Sequence, residues 1–309
     1  MESDAKSWWA LVLAGGDGVR LRALTRRIAG DERPKQFCNI LGPATVLEQT
    51  VTRVEMVIPS DQILVAVVRA HERFYTPLLA DISPRCMVIQ PENRGGAPAI
   101  LYALLRLLTM APEGPVAIFP SDHYVSDDRV FMAHVEGALD MVVSRPELAI
   151  VLGITPDTDE VEYGWIEAGE TIQGASPWPL FTVRSFWEKP LRAFADTLRA
   201  GGCFWNSFVI AAYPSMLIGL IRRAIPRLFD AFATVESRLS TPWEAESIRR
   251  LYSELPPADF SKNVLMPRAV DLAVLPVKGV AWSDLGESRR VMATLARMGI
   301  SPVWAGAST

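Results

Sequence analysis

The chain has 309 residues, half of them hydrophobic, with a formal net charge of −4 at pH 7 and an isoelectric point near 5.6. A chain of this length can bury a large core and form one domain or two. Its acidity gives no general attraction to nucleic acid or to an anionic membrane, so neither is an expected partner and any phosphate binding should be local.

Three features predict a cytoplasmic protein. Cys38, Cys86 and Cys203 lack the spacing of a metal site or a redox pair, which suits a reducing compartment. The polar start, residues 1–6, has no apolar stretch like that of a signal peptide. The apolar run over residues 208–221 contains a proline and is too short to span a bilayer.

Short β-rich runs alternate with helical patterns, which is typical of an α/β structure built on a mostly parallel sheet. Strands are predicted over residues 8–13, 62–68, 116–119, 149–153, 181–187, 208–212 and 272–277. Helices are predicted over residues 98–109, 128–143, 191–200, 215–229 and 287–298. Ligands of such sheets bind beyond the carboxyl ends of the strands, so the motifs at those ends are the candidate site.

The region after residue 225 is expected to differ from the rest. Residues 226–267 predict a small helical lobe, with a clear break at the Leu-Pro-Pro of residues 255–257. We therefore expect a core over residues 1–225 and a C-terminal segment over residues 226–309, which packs on the core and carries a late strand and Asp284. The tail shows no hexapeptide periodicity of a β-helix.

A glycine turn follows the first predicted strand, and Arg20 and Lys35 come after it. Such a turn leaves backbone N–H groups free, so a polyphosphate can lie against them while the two basic side chains add positive charge. The spacing fits neither a Walker A loop nor a dinucleotide-binding turn. A tight strand-to-helix connection is the structural alternative. The groups expected to bind phosphate belong to Leu13, Ala14, Gly15, Gly16 and Gly18.

Two aspartates that follow predicted strands are candidate ligands of a hard divalent cation. Asp122 follows residues 116–119, and Asp284 follows the late strand. A carboxylate at a strand's carboxyl end can hold such an ion while water and substrate phosphates fill its other positions. The structural alternatives are a turn former or helix cap for Asp122 and a helix N-cap for Asp284. His123 is expected to hold the loop rather than to act as a base.

The glycine turn with Arg20, followed by the Pro-Lys-Gln-Phe of residues 34–37, resembles the signature of sugar-1-phosphate nucleotidyltransferases. The surroundings of Asp122 and Asp284 resemble that family's two metal-binding segments. The resemblance implies the glycosyltransferase-A-like nucleotidyltransferase fold, a mostly parallel central sheet flanked by helices. It also implies Mg²⁺ as the cofactor on the two aspartates, with Arg20 and Lys35 as catalytic residues.

Further segments resemble substrate-reading elements of the family. Residues 162–167, 186–190 and 204–207 resemble its sugar-binding elements, and residues 88–100 resemble the base-recognition element of mannose-1-phosphate guanylyltransferases. The implied sugar contacts are Gly164, Glu188, Lys189 and Asn206. The implied nucleotide contacts, besides the glycine turn, are Gln90, Asn93, Gly95 and Ala97.

Three departures from the family pattern are visible. Gly95 and Gly96 stand where Asn-Thr is usual, and Phe208 stands where a glycine is common. Residues 261–267 correspond poorly to a late family segment, and an acidic contact expected there is missing.

The resemblance implies that the phosphate of mannose 1-phosphate attacks the α-phosphorus of GTP in line, giving GDP-mannose and pyrophosphate. The expected partners are GTP and mannose 1-phosphate, with a homodimer as the candidate assembly. Two alternatives stay open: a glucose-1-phosphate thymidylyl- or uridylyltransferase, and a non-catalytic homologue that binds nucleotide sugars and regulates a partner. A nicotinamide-dependent oxidoreductase is disfavoured by the glycine spacing.

Overall fold

The computed structural model describes residues 7–111, 114–174, 177–302 and 304. Residues 1–6, on which the signal-peptide expectation rests, lie outside this part of the chain. The strands of the described residues are β1 (Trp9–Leu13), β2 (Ile63–Val68), β3 (Met87–Gln90), β4 (Val116–Pro120), β5 (Tyr124–Val125), β6 (Ala149–Ile154), β7 (Gly164–Thr171), β8 (Phe181–Glu188), β9 (Phe204–Ala212), β10 (Ala273–Val277) and β11 (Trp282–Ser283).

Nine of these strands form one mixed sheet in the order β3-β2-β1-β4-β9-β6-β10-β8-β7. The first four are parallel to one another, as β10 is to β6. Strand β9 is antiparallel to both β4 and β6, and β8 is antiparallel to both β10 and β7. The parallel pairing expected from the sequence is present from β3 to β4 and between β6 and β10, whereas the other neighbouring strands pair antiparallel. The link between β7 and β8 is too short for the crossover that parallel strands require.

Helices cover both faces of the sheet. They are α1 (Arg22–Ala29), α2 (Val46–Glu55), α3 (Glu72–Tyr75), α4 (Gly96–Met110), α5 (Asp128–Ser144), α6 (Arg192–Ala200), α7 (Pro214–Ala224), α8 (Pro226–Ala233), α9 (Glu244–Glu254) and α10 (Ser288–Arg297). One core lies between the sheet and the helices α2 and α5, and a second lies between the sheet and α4, α7, α8 and α9. Because both faces are covered, the parallel strands β1, β2 and β4 are apolar along their whole length. None of the described helices combines the length and apolar character needed to cross a membrane.

Two predicted elements differ from the structure for local reasons. The helix expected over residues 215–229 is two helices, α7 and α8, which break at Ile225 because a residue before proline disfavours helical dihedrals. The strand expected from Phe208 begins at Phe204, since the polar Trp-Asn-Ser stretch interrupts the apolar run without ending the strand.

The residues after position 225 are spread over different parts of the fold. Helices α8 and α9 contribute Phe232 and Tyr252, whose rings contact Tyr102 of α4. Strand β10 instead lies inside the central sheet, between β6 and β8. A domain boundary near residue 225 stays a prediction.

Candidate active site

A cleft of about 430 Å³ gathers most of the predicted site residues. Four do not line it: Ala14 and Ala97 are fully buried, Gly18 packs against Pro34 and Lys35, and Lys35 is a buried residue whose side chain contacts Asp122. The predicted residues that do line the cleft are Leu13, Gly15, Gly16, Arg20, Gln90, Asn93, Gly95, Asp122, Gly164, Glu188, Lys189, Asn206 and Asp284.

The glycine turn is fixed by a side chain from the Pro-Lys-Gln-Phe segment. Gln36 donates from Nε2 to the carbonyl oxygens of Ala14 at 3.1 Å and Gly16 at 2.7 Å. Gly18 has a φ of +58°, and a Cβ there would lie 3.0 Å from the backbone nitrogen of Lys35. The two halves of the motif therefore form one packed unit, which explains why Gly18 serves the turn rather than the cleft.

Lys35 connects the two predicted metal ligands. Its ammonium nitrogen lies 3.2 Å from Oδ2 of Asp122, and it also donates to the main-chain carbonyl of Asp284. The Lys35 side chain is 10% exposed, so this charge is held in place within a largely desolvated environment. The arrangement puts a fixed cation between the carboxylate of Asp122 and the main chain of Asp284 at the edge of the cleft.

A short strand pair brings these distant aspartates together. Ser283 of β11 lies opposite Tyr124 of β5 in an antiparallel pair, so the residues that follow and precede them, Asp284 and His123, become neighbours. The ring of His123 packs edge-on against Trp282 with centroids 5.0 Å apart. Burial lowers the pKa of His123 to about 4, so the ring is neutral at pH 7, consistent with a role in holding the loop.

The Asp284 carboxylate is held by basic and backbone donors. Arg290 donates from Nε at 2.9 Å, and the N–H of Gly286 donates at 2.8 Å. Burial pushes the pKa of Asp284 upward, but Lys35 and Arg290 outweigh it and hold the pKa below its ordinary value. Asp284 is thus ionised at neutral pH, as a metal ligand must be.

The donor set fits Mg²⁺ and not an all-protein metal cage. The described residues contain no group of three or more histidines, cysteines or acidic residues that could hold a metal ion. Asp122 and Asp284 are two of the carboxylates that line the cleft, and they are the residues that could hold a metal ion there. Mg²⁺ in nucleotide sites is bound by one or two carboxylates, with water and substrate phosphates in the other positions.

Glu162 joins the two exposed cations of the cleft and was not singled out from the sequence. It accepts from Nη1 of Arg20 at 3.2 Å, and Nζ of Lys189 lies 3.5 Å from the same oxygen. One carboxylate therefore neutralises both of these cations. The only sequence signal for Glu162 was its position in residues 162–167, which resemble a sugar-binding element of the family.

The sugar-side residues meet around Gly164. A Cβ on Gly164 would lie 3.0 Å from Oε2 of Glu188 and 3.2 Å from Cβ of Asn206, so the missing side chain lets both approach the same space. Burial raises the pKa of Glu188 to about 7, and the charges of Asp259 and Glu162 add to the rise. Asp259 also lines the cleft. It lies two residues before residues 261–267, the segment in which the acidic contact expected from the family pattern is missing.

The base-recognition loop is held from both sides. Asn93 accepts from the N–H of Gly95 at 2.9 Å and donates to Asp17 of the glycine turn at 2.9 Å. On the other side, the N–H of Ala97 donates to the carbonyl of Ala258 at 3.0 Å. Since that N–H is already bonded, the structure does not support Ala97 as a nucleotide contact.

The structure explains why residue 95 is a glycine in this chain. Its φ is +88°, and a Cβ would run into the carbonyl of Ala258. Ala258 also donates from its N–H to the carbonyl of Arg94 at 2.9 Å, while Arg94 donates to the carbonyl of Tyr252 at 3.0 Å. The segment after α9 thus forms a backbone strap over the loop, and an asparagine at residue 95 would not fit beneath it.

A cleft at strand ends with a glycine turn, a fixed lysine and two aspartates is the arrangement expected of a nucleotidyltransferase site. Residues 9–294 match the nucleotidyl transferase family model, and the chain belongs to that family.

Several known proteins are similar over most of this chain. The mannose-1-phosphate guanylyltransferase of Escherichia coli K12 is 27% identical over 287 residues, which are 90% of this chain and 58% of that protein. The crystal structure of a mannose-1-phosphate geranyltransferase from Thermus thermophilus has a TM-score of 0.79 and 29% identity, covering 93% of this chain and 79% of that one. A putative glucose-1-phosphate thymidylyltransferase from Bacillus anthracis, with a TM-score of 0.56 and 16% identity over 96% of this chain and 99% of that one, shares the fold. The chain spans only 58% of the length of the curated relative from Escherichia coli.

Proposed function

We propose that the protein transfers a guanylyl group from GTP to mannose 1-phosphate, giving GDP-mannose and pyrophosphate. The observation that carries the chemistry is Lys35, fixed between Asp122 and Asp284 at the edge of a cleft. The similarity to mannose-1-phosphate guanylyltransferases supports the choice of substrates.

The cleft has two sides that suit two substrates. Gly15, Gly16 and Gln90 lie on the side of the glycine turn and the strapped loop, where backbone N–H groups suit a nucleoside triphosphate. Glu188 and Asn206 lie on the other side, where a carboxylate and an amide suit sugar hydroxyls. The paired aspartates lie in the same cleft, so the reacting phosphates would meet near Lys35.

In the proposed reaction, an oxygen of the sugar phosphate attacks the α-phosphorus of the triphosphate. The bond from that phosphorus to the bridging oxygen breaks, and its electron pair leaves with pyrophosphate. A phosphate monoester is already an anionic nucleophile, so no side chain has to remove a proton. Lys35 would stabilise charge at the α-phosphate, and Arg20 would hold the departing pyrophosphate.

Two groups must change partners when substrates bind. Arg20 and Lys189 share the carboxylate of Glu162, and phosphate oxygens would replace that carboxylate. Asp122 and Asp284 would hold Mg²⁺, which when bound neutralises phosphate charge. The catalytic contribution of the chain is then mainly positioning and charge neutralisation.

The test is pyrophosphate release with Mg²⁺ and mannose 1-phosphate, comparing GTP with dTTP, UTP, ATP and CTP, then repeated with glucose 1-phosphate. Activity confined to GTP with mannose 1-phosphate would support the proposal. Activity with glucose 1-phosphate and dTTP or UTP would keep the mechanism and replace the substrates. Binding of nucleotide sugars without turnover would instead favour the regulatory homologue.

Lys35→Ala is the matched control for contaminating activity. A rate that persists in this variant would come from another enzyme in the preparation or from a mechanism that does not use Lys35.

A further inference from the structure

An acidic residue stands inside the turn that is expected to receive phosphates. Asp17 lies between Gly16 and Gly18, and a carboxylate beside a bound polyphosphate repels it. The Asp17 side chain is 42% exposed, yet Asp17 is not among the residues that line the cleft. Its carboxylate instead contacts two other parts of the protein, and those contacts indicate its role.

The first contact is with the base-recognition loop. Nδ2 of Asn93 donates to Oδ2 of Asp17 at 2.9 Å, while Oδ1 of Asn93 accepts from the N–H of Gly95 at 2.9 Å. The oxygen and one N–H of the Asn93 amide are thus engaged with protein groups. The Asn93 side chain therefore connects Asp17 of the glycine turn to the main chain of Gly95, and we call this connection the Asp17–Asn93 bridge.

The second contact is with a buried histidine. Nε2 of His71 lies 3.3 Å from Oδ1 of Asp17, and the His71 side chain is 10% exposed. Burial lowers the pKa of His71 below its ordinary value, so the ring is neutral at pH 7. Nδ1 of His71 is buried without a hydrogen-bond partner among the described residues, and a carboxylate can only accept, so the ring proton belongs on Nε2, facing Asp17. The ring also packs edge-on against Phe37 with centroids 5.8 Å apart, which fixes this donor in place.

The glycine turn and the base-recognition loop also meet at a second place. A Cβ on Gly15 would lie 3.0 Å from Nε2 of Gln90, the last residue of β3, so the turn packs closely on the strand that leads into the loop. Together with the Asp17–Asn93 bridge, this contact fixes the distance between the turn and the loop. A ligand that spans both depends on that distance, since a misplacement of about 1 Å can lower a rate about a hundredfold.

We propose that Asp17 is a positioning residue, which holds the base-recognition loop at the distance from the glycine turn that a nucleoside triphosphate requires. This inference rests on the proposed function of the same cleft. It also gives Asn93 a role through Asp17 in place of a direct contact with the nucleotide. Charge alone predicts the opposite effect for Asp17, because removing a negative charge near the phosphates would strengthen triphosphate binding. The sign of the change therefore separates the two roles.

The experiment measures the KM for the nucleotide and the KM for the sugar phosphate in wild type and Asp17→Ala. We expect Asp17→Ala to raise the KM for the nucleotide about three- to tenfold, the effect of losing a hydrogen bond to a charged group, and to leave the KM for the sugar phosphate near its wild-type value. Asp17→Asn removes the charge but keeps one accepting oxygen, so its effect on the nucleotide KM should be smaller. A nucleotide KM that falls or stays unchanged in Asp17→Ala, or an equal rise in both KM values, would overturn the inference.

Asp81→Ala is the control for loss of one negative charge, because Asp81 is exposed and does not line the cleft. It should leave both KM values unchanged.

A double variant tests the role given to Asn93. If Asn93 acts only through Asp17, Asn93→Ala raises the KM for the nucleotide, and the variant with both Asp17→Ala and Asn93→Ala raises it no further than the larger single effect. If the two effects multiply instead, Asn93 contacts the nucleotide independently, and its assignment to the bridge is overturned.

The outcome can be separated from failure of the proposed function. If the wild-type protein turns over another nucleotide, both KM values are measured with that nucleotide. If it turns over none, the Kd of the nucleoside triphosphate that raises its Tm most is measured by calorimetry in the same variants. Weaker binding to Asp17→Ala than to wild type supports the positioning role, and equal or tighter binding refutes it.

Discussion

The ammonium nitrogen of Lys35 lies 3.2 Å from the carboxylate of Asp122, at the carboxyl end of β4. Because Lys35 also donates to the main chain of Asp284, a single cation connects both predicted metal ligands. The pairing of β5 with β11 makes this possible, since it sets the two aspartate segments side by side. The position of one charge thus depends on three separate parts of the chain.

We expect Lys35→Ala to lower kcat by about two to three orders of magnitude, because it removes a preorganised positive group from the reacting phosphates. Lys35→Arg is the matched variant, which keeps the charge but not the compact ammonium geometry. Steady-state pyrophosphate release, with circular dichroism to check folding, measures both. Near-native turnover of a folded Lys35→Ala variant would remove Lys35 from the catalytic role.

Glu162→Gln should lower the KM for the substrates whose phosphates bind Arg20 and Lys189, since it removes the carboxylate that neutralises both cations. Both ion pairs are partly exposed, so the change should be at most about fivefold. Glu167→Gln is the control, because Glu167 pairs with Arg184 and does not line the cleft. A raised KM in the Glu162 variant would show that its carboxylate contacts substrate directly.

Sugar-phosphate binding should depend on pH through Glu188. Its pKa is raised to about 7 by burial and by Asp259, so ionised Glu188, the better acceptor for sugar hydroxyls, becomes dominant only above that pH. We expect the KM for the sugar phosphate to fall as the pH rises from about 6 to about 8. Measured KM values across this range in wild type and Glu188→Gln are the test. A pH dependence that survives in Glu188→Gln would assign it to another group.

The same shift affects stability with a defined sign. A carboxyl whose pKa rises from 4.5 in the unfolded chain to about 7 in the folded protein binds more protons when folded between those values. The Glu188 contribution to the free energy of unfolding is therefore present below about pH 4.5 and is lost as the pH rises toward 7. Urea unfolding of wild type and Glu188→Gln at several pH values measures the difference.

The sequence located the parts of the site that form at the end of one strand. Asp122 lies two residues after β4, and the glycine turn directly follows β1, so apolar runs and local chemistry were enough. Glu162 and Asp259 could not be assigned in the same way. Their roles depend on which distant groups face them, and no local pattern contains that information.

For the fold as well, the sequence predicted some elements and missed others. Buried parallel strands such as β2 have a strong apolar signal, whereas β7 has a half-exposed pattern and was missed. Helix α2 was also missed, although Thr45 and Glu48 form a capping box that marks its start. The antiparallel insertion of β9 depends on long-range pairing and had no signal in the sequence.

Gly95→Ala should disturb the base-recognition loop more than an ordinary glycine substitution would. Gly95 has a φ of +88°, and the new Cβ would meet the carbonyl of Ala258, which also accepts from Ala97. Gly30→Ala is the matched control: Gly30 has a similar φ of +81°, but among the described residues, its two chain neighbours aside, no atom lies within 4 Å of the position its Cβ would take. The control should lose about 1 to 2 kcal/mol of unfolding free energy from the backbone conformation alone.

The Gly95 variant should lose more than the control, and its KM for the nucleotide should rise while its KM for the sugar phosphate stays near the wild-type value. Urea unfolding and steady-state kinetics on both variants give these quantities. Equal losses of stability in the two variants would mean that the backbone segment around Ala258 shifts and makes room for the new Cβ. Equal increases in both KM values would mean that the strapped loop does not serve the nucleotide side alone, because a local change at Gly95 would then reach the sugar side as well.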